Sequence, residues 1–402
     1  MLFEGDIMNE KKKWVGSWST SAVKAGFHLP PFIHLNNGLL FSTARSVIRP
    51  TLSGDKIRIN VSNRFGKKPL HISETTIANF TGGKADTDTP VNITFNGKKD
   101  VTLAPGEEIL SDAIDFKVQA LKKIAVSFYV KSAVMRTKGL YGADTYLCPG
   151  NCTQTKKYKP WWHLHLKVDV AHFQTVPFLT RVDVLANEDC YAIVMAGDST
   201  FANEKTYYLA ERLQKLGIHN VAVLQQAIAG NRILEDGHGL LDNLYGESLL
   251  KRFDKDIMAC PGVKKIILKE GINDMLHPRS LTVGSEKMTH TKDITDGLQQ
   301  VIDTAHKNDL EIYISKLTPF KGFGKILLFI NDFVWSPEAQ DIVDNTNTWI
   351  DNCNADGVID IDFIKDETDP QKMKKEYAID FLHYKNNAQK IFVENIDESF
   401  LR

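Results

Sequence analysis

Tyr191-Ala192-Ile193-Val194-Met195-Ala196-Gly197-Asp198-Ser199 is a compact apolar run that stops abruptly on a glycine, an acid and a serine. Six apolar residues followed by turn formers read as a buried strand. The next stretch, Lys205 to Leu216, places Leu209, Leu213 and Leu216 at helical spacing before Gly217. Strand, turn and helix thus follow one another within some 25 residues. The cycle recurs with a strand Val263 to Leu268, a helix bearing Ile294, Leu298, Val301, Ile302 and Ala305, and a strand Leu310 to Leu317. It recurs again where Ser336-Pro337 supplies an N-cap and first-turn proline, Gly357 to Asp360 opens a further strand, and a helix of roughly Asn387 to Leu401 closes the chain. Alternation of this kind predicts a mostly parallel sheet covered by helices on both faces.

Upstream the texture is different. From Trp14 to Asp183, Ile57, Ile59 and Val61 alternate with polar neighbours, and Ile124, Val126 and Phe128 do likewise. Gly82-Gly83, Asn96-Gly97 and Pro105-Gly106 separate such runs. Period-2 strands divided by turns predict an antiparallel, jelly-roll-like β-sandwich. The expected division is therefore an all-β domain at 1–186 and an α/β domain at 187–402, with the boundary between residues 184 and 190.

The chain has 402 residues, 43% hydrophobic and 25% charged, with 49 Lys+Arg against 50 Asp+Glu. A net charge of -1 offers no field for a phosphate backbone, so nucleic acid is not the expected partner. No run approaches the ~20 apolar residues of a membrane span, and the first residues do not read as a secretory signal, so a cytoplasmic protein is expected. Five cysteines, an odd and sparse set, suit reduced thiols. No P-loop, dinucleotide fingerprint or His-Glu-x-x-His occurs, and neither a cofactor nor a metal is expected. Oligomeric state is not legible.

In a parallel sheet, ligands bind at the carboxyl ends of the strands. Ser199 sits at that edge, where a serine on a tight turn can expose its Oγ close to backbone N–H groups. Capping of the following helix is the plainer role for Asp198 or Ser199. Near the C-terminus, Asp380-Phe381-Leu382-His383 puts a carboxylate three residues before a histidine, a spacing that lets it fix the ring. Gly271-Ile272-Asn273-Asp274 follows an apolar strand, so the Asn273 amide could donate to an oxyanion or brace its own loop.

Taken in order, Ala196-Gly197-Asp198-Ser199, Ala227-Ile228-Ala229-Gly230-Asn231, Gly271-Ile272-Asn273-Asp274 and Asp380 to His383 resemble the four sequence blocks of the SGNH/GDSL hydrolases. The resemblance spans roughly residues 190 to 402. It implies a three-layer α/β/α, flavodoxin-like domain, with Ser199 as nucleophile, His383 as general base and Asp380 as its orienting acid. It also implies an oxyanion hole made by the Ser199 N–H, the Asn273 side chain and the N–H of Ala227, the last standing where relatives have glycine. Asp198, Asn231 and Trp335 are expected to line the substrate site. Trp14-Val15-Gly16-Ser17-Trp18 and the β-rich region after it resemble an accessory domain found in a subgroup of that family associated with carbohydrate esters.

The resulting expectation is a serine esterase acting on small acyl esters, acetyl first, with carbohydrate as the candidate carrier. Its rival is a carbohydrate-binding protein that keeps the fold without catalysis, favoured by the residue at Ala227. Trp161-Trp162 could stack on a sugar or pack between domains. Cys148 and Cys152 with His163 and His165 are a weaker zinc candidate. Phe323 to Trp335 is a candidate lid or buried connector, and His238 and His277 read as solvent-facing.

Overall fold

The structure, a computed structural model, describes every residue except 1–10, 25–37, 136, 140, 169–170, 238–244, 281–287, 328–329 and 332–334, and omits the side chains of 165–174 and 325–334. The N-terminal region is all-β, as its period-2 pattern predicts. One antiparallel sheet orders Lys12–Ser19, Leu179–Asn187, Gly54–Ser62 and Glu108–Leu110. The other orders Trp162–His163, Ala143–Pro149, Gly38–Ile48, Ile124–Val134 and Glu74–Gly82. Ile57, Ile59, Val61, Val126 and Phe128 are buried among their inner-face side chains. Trp18 joins this core, and Arg58 lies 4.5 Å over the ring of Trp14.

From Tyr191 onward five parallel strands form one sheet in the order Val221–Ala227, Tyr191–Gly197, Val263–Lys269, Glu311–Ser315, Gly357–Ile359. Counted along the chain this is 2-1-3-4-5, whose topological switch lies between the strands Tyr191–Gly197 and Val263–Lys269. Ser199 follows the first of these and Asn273 the second. Burial on both faces explains the continuous apolar run Tyr191–Ala196. Ala192, Val194 and Ala196 face helices Thr291–Lys307 and Pro337–Ile350, while Ile193 and Met195 face Lys205–Lys215 and Asn386–Glu394. The final helix is shorter than its sequence pattern suggests. It stops at Glu394, and a separate 3₁₀ turn covers Glu398–Leu401.

The β-sandwich covers the open edge of the parallel sheet. Main-chain groups of Val221–Ala227 that face away from Tyr191–Gly197 would otherwise lack partners. Thr51 Oγ1 bonds both Val223 N and O at 3.0 Å, and Ser19 Oγ donates to Gln225 O at 3.0 Å. Arg49 and Glu211 add an ion pair of 2.6 Å across the same seam. Among the described residues, no helix is long and apolar enough to cross a membrane.

Candidate active site

Gly197 ends its strand at φ 153°, and a Cβ there would collide with the carbonyl of Lys269 on the neighbouring strand. Glycine lets the chain turn tightly at this point. Asp198 then turns inward with 0% exposure, its Oδ1 accepting from Thr200 N at 2.7 Å. Burial pushes its pKa up. Ser199 is left half-exposed at the carboxyl edge, and its N–H has no partner among the described residues.

The loop Asp380 to His383 is held by its own acid. Asp380 Oδ1 accepts from the backbone N–H of Leu382 at 3.0 Å and of His383 at 2.8 Å, which requires Phe381 to take a left-handed φ of 68°. The other oxygen, Oδ2, lies 2.7 Å from His383 Nδ1. A carboxylate only accepts, so Nδ1 carries the proton, and Nε2 is the lone-pair nitrogen 2.7 Å from Ser199 Oγ. Burial by itself lowers the proton affinity of His383, but Asp380 outweighs it and the imidazole titrates above its ordinary value. Asp380 in turn is raised by burial but brought below the usual range by His383 and the two N–H groups. Ser199, His383 and Asp380 therefore form one hydrogen-bonded line able to take a proton from the serine hydroxyl. Phe323 stands edge-on to the imidazole, with ring centroids 5.9 Å apart.

Asn273 enters from the short helix Ile272–Leu276. Its Nδ2 donates one hydrogen to Asn231 O at 2.9 Å and keeps a second for another acceptor. Asp274 receives the N–H groups of Ile233 at 2.8 Å and Leu234 at 3.0 Å, which pins the loop carrying Asn231. Burial raises the Asp274 pKa to about 6.

Ala227 does not fit an oxyanion donor. Successive N–H groups of a strand alternate sides. Ile228 N donates to Gly197 O at 2.9 Å, toward the sheet, so the Ala227 N–H points outward with the edge groups of Val223 and Gln225. The glycine lies three residues on. Gly230 has φ 74° in the turn closed by Asn231 N and Ile228 O at 3.1 Å, and a Cβ there would strike the ring of Tyr245. Among the described residues the Gly230 N–H is unpartnered. The Ala-Gly-Asn order in the sequence carried this signal, but only the strand register shows that the Ala227 N–H faces outward.

Two expected substrate contacts are also displaced. Asp198 is sealed behind the turn. Asn231, at 0% exposure, spends its side chain on Tyr245 O, Glu247 O and the guanidinium of Arg252, and is a loop brace. Trp335 is half-buried with Nε1 on Gln340 at 3.1 Å and Lys321 over its ring. Within the candidate lid 323–335, Lys325–Leu327 pairs antiparallel with Ile330–Asn331, while 328–329 and 332–334 lie outside the described residues, as does His238. His277 is buried at 1% against Tyr245, contrary to its expected exposure, because the short helix before it folds inward. Trp161 and Trp162 are 75% and 51% exposed and so do not pack the domain seam. Cys148 and Cys152 place their sulfurs 3.0 Å apart, whereas His163 stacks on Tyr146 at 4.4 Å, and the side chain of His165 is outside the described set.

Residues 195–391 match the profile of the GDSL-like lipase/acylhydrolase family. No protein of the curated set matches. Among solved structures, a GDSL-like lipase from Bacteroides thetaiotaomicron is similar at 11% identity over 52% of this chain and 87% of its own, with a TM-score of 0.38. An acetyl xylan esterase is similar at 15% identity over 52% and 98%, with a TM-score of 0.38. A variant of an acetyl-xylooligosaccharide esterase from Geobacillus is similar at 14% identity over 52% and 94%, with a TM-score of 0.36.

Proposed function

We propose, from the match of residues 195–391 to the GDSL-like lipase/acylhydrolase family, a serine esterase that hydrolyses small acyl esters, acetyl first, through an acyl-enzyme. The observation that carries the proposal is the line Asp380 Oδ2, His383 Nδ1, His383 Nε2, Ser199 Oγ, both links 2.7 Å long. In it Ser199 Oγ attacks the ester carbonyl while His383 Nε2 takes the hydroxyl proton, and Asp380 stabilises the imidazolium that results. The tetrahedral oxyanion would receive the Ser199 N–H, the second Nδ2 hydrogen of Asn273 and, in place of Ala227, the N–H of Gly230. His383 then returns the proton to the departing alcohol, and a water activated by the same nitrogen releases the acid. No step calls on a metal or organic cofactor.

The alcohol we propose is a carbohydrate hydroxyl. Exposed indoles at Trp161 and Trp162 on the accessory domain suit the apolar face of a sugar ring, which supports that choice. The rival reading of a non-catalytic binding protein drew on Ala227, and it loses that support once the glycine of the loop is Gly230. A fluorophosphonate should label Ser199 alone, and Ser199→Ala should abolish turnover of a chromogenic acetyl ester at unchanged folding. Labelling elsewhere, or an active Ser199→Ala protein, would sink the assignment. Acetylated xylo-oligosaccharides and aryl esters of graded chain length then test the acyl and alcohol choices.

A further inference from the structure

Arg252 is a fully buried guanidinium, and such a group persists only when acceptors surround it. Its Nε donates to Asn231 Oδ1 at 2.9 Å, and its Nη1 to Gln226 O at 2.8 Å, Ser21 Oγ at 3.1 Å and Asp256 Oδ2 at 3.3 Å. Its Nη2 reaches Gly197 O at 3.5 Å. One side chain thus touches the residue two before Ser199 and the residue after Gly230. Asn231 passes the contact on, because its main-chain oxygen accepts from Asn273 Nδ2. All three proposed oxyanion donors are therefore within one or two links of Arg252.

The far end of this network lies in the β-sandwich. Arg64, in the loop after strand Gly54–Ser62, donates through Nη1 to Asp256 Oδ1 at 2.7 Å and pairs through Nη2 with Glu247. Asp256 shares its other oxygen with Arg252, and the main-chain oxygen of Glu247 accepts from Asn231 Nδ2 at 2.8 Å. Two routes, through Asp256 and through Glu247, run from one guanidinium to Asn231. The two carboxylates hold Arg64 in its charged form against the desolvation it suffers. Both nitrogens of the planar fork are used on different acids, which a single ammonium could not reproduce in the same geometry.

We infer that Arg64 of the β-sandwich is a positioning residue for the oxyanion site of the esterase proposed above, acting through Asp256, Glu247 and Arg252 on the loop of Gly230 and Asn231 and on Asn273. The accessory domain is then part of the catalytic apparatus rather than an appended module. Oxyanion donors contribute only when held at hydrogen-bond distance from where charge develops, so slack in this loop affects the transition state more than the bound ester.

The experiment compares Arg64→Met, Arg64→Lys and Arg49→Met in the full chain. Arg49→Met breaks the seam ion pair with Glu211 and serves as the control for loosened domain docking. The readouts are kcat and KM for an aryl acetate, the inhibition constant of a boronic acid that forms a tetrahedral adduct on serine, and Tm. Arg64→Met should lower kcat about 10- to 100-fold, the usual loss for an ångström-scale misplacement. KM should stay within about 3-fold, and the boronic acid should weaken in step with kcat. Arg64→Lys should recover part of the rate, and Arg49→Met should lower Tm with kcat unchanged. A folded Arg64→Met protein with wild-type kcat, a loss confined to KM, or an equal kcat loss in Arg49→Met would overturn the inference. If Arg64→Met does not fold, Glu247→Gln is read against the same outcomes. Wild-type protein with no esterase activity and no label on Ser199 would instead remove the proposed function on which the inference rests.

Discussion

Replacing Asp380 with asparagine separates the charge of the acid from the loop that the acid builds. Asp380 Oδ1 holds the N–H groups of Leu382 and His383, and Oδ2 faces His383 Nδ1 at 2.7 Å. Asparagine can keep the first role with its own Oδ1, which leaves its NH₂ against Nδ1. Nδ1 must then accept, so the ring proton moves to Nε2 and points at Ser199 Oγ. A histidine in that tautomer cannot take the serine proton. The flipped amide would restore the tautomer but set two hydrogens against two backbone N–H groups, so the loop resists it. The expected loss in kcat/KM is about 10⁴-fold, or about 5.4 kcal/mol of transition-state stabilisation. A second signature comes from pH. The base must be neutral, so wild-type activity rises with pH through the titration of His383, which Asp380 raises above the ordinary imidazole value. Removing the carboxylate removes that influence, and the residual activity should reach its plateau at lower pH. Steady-state rates on an aryl acetate from pH 5 to 9, with circular dichroism to establish folding, check both points. A loss under 10-fold, or an acidic limb that does not move, would refute the tautomer argument.

Asn273→Ala should lower kcat about 10²- to 10³-fold with little change in KM, and an effect on KM alone would make Asn273 a ground-state contact. Ala227→Gly should leave kcat within about 2-fold, because the Ala227 N–H faces the β-sandwich; Gly230→Ala should impair the enzyme, since φ 74° and the Tyr245 ring both oppose a Cβ. A rate gain in Ala227→Gly would reverse the assignment of the donor. Glu270 is fully buried, neither of its oxygens has a hydrogen-bond partner among the described residues, and burial drives its pKa well up. The folded state then binds this proton more tightly than the unfolded chain, so stability present below the ordinary Glu value of ~4.3 is lost as pH rises, by at most about 1.4 kcal/mol per pH unit. Urea unfolding of Glu270→Gln between pH 5 and 8 should show a shallower decline than wild type, and equal slopes would refute it.

Much of the fold could be read directly. Tyr191 to Ala196 is apolar at every position because both faces of that strand are covered, whereas strands flanked by one layer show the alternation at Ile57, Ile59 and Val61. Gly197 was legible as a stop, and Ser336-Pro337 as a helix start, which the Ser336 Oγ bond to Ala339 N at 3.2 Å bears out. The misplacement of Ala227 has a different origin. Whether a strand N–H faces its neighbour or the open edge depends on pairing register, and register is a relation between two segments rather than a property of either.

The same reasoning divides what the chain itself determined from what only its folding decided. Local order follows from local chemistry: apolar periodicity, glycine at a turn and an acid three residues before a histidine act over a few residues and leave their mark in the sequence. Asn231 and His277 are polar residues whose type suggests exposure, and each is buried because another segment supplies its hydrogen bonds or ring contacts. Ser199 and His383 are separated by 184 positions and stand 2.7 Å apart. Nothing in either segment encodes that distance. It arises because parallel strands must end on one side of a sheet, and the burial of two helical layers against that sheet fixes which loops meet there.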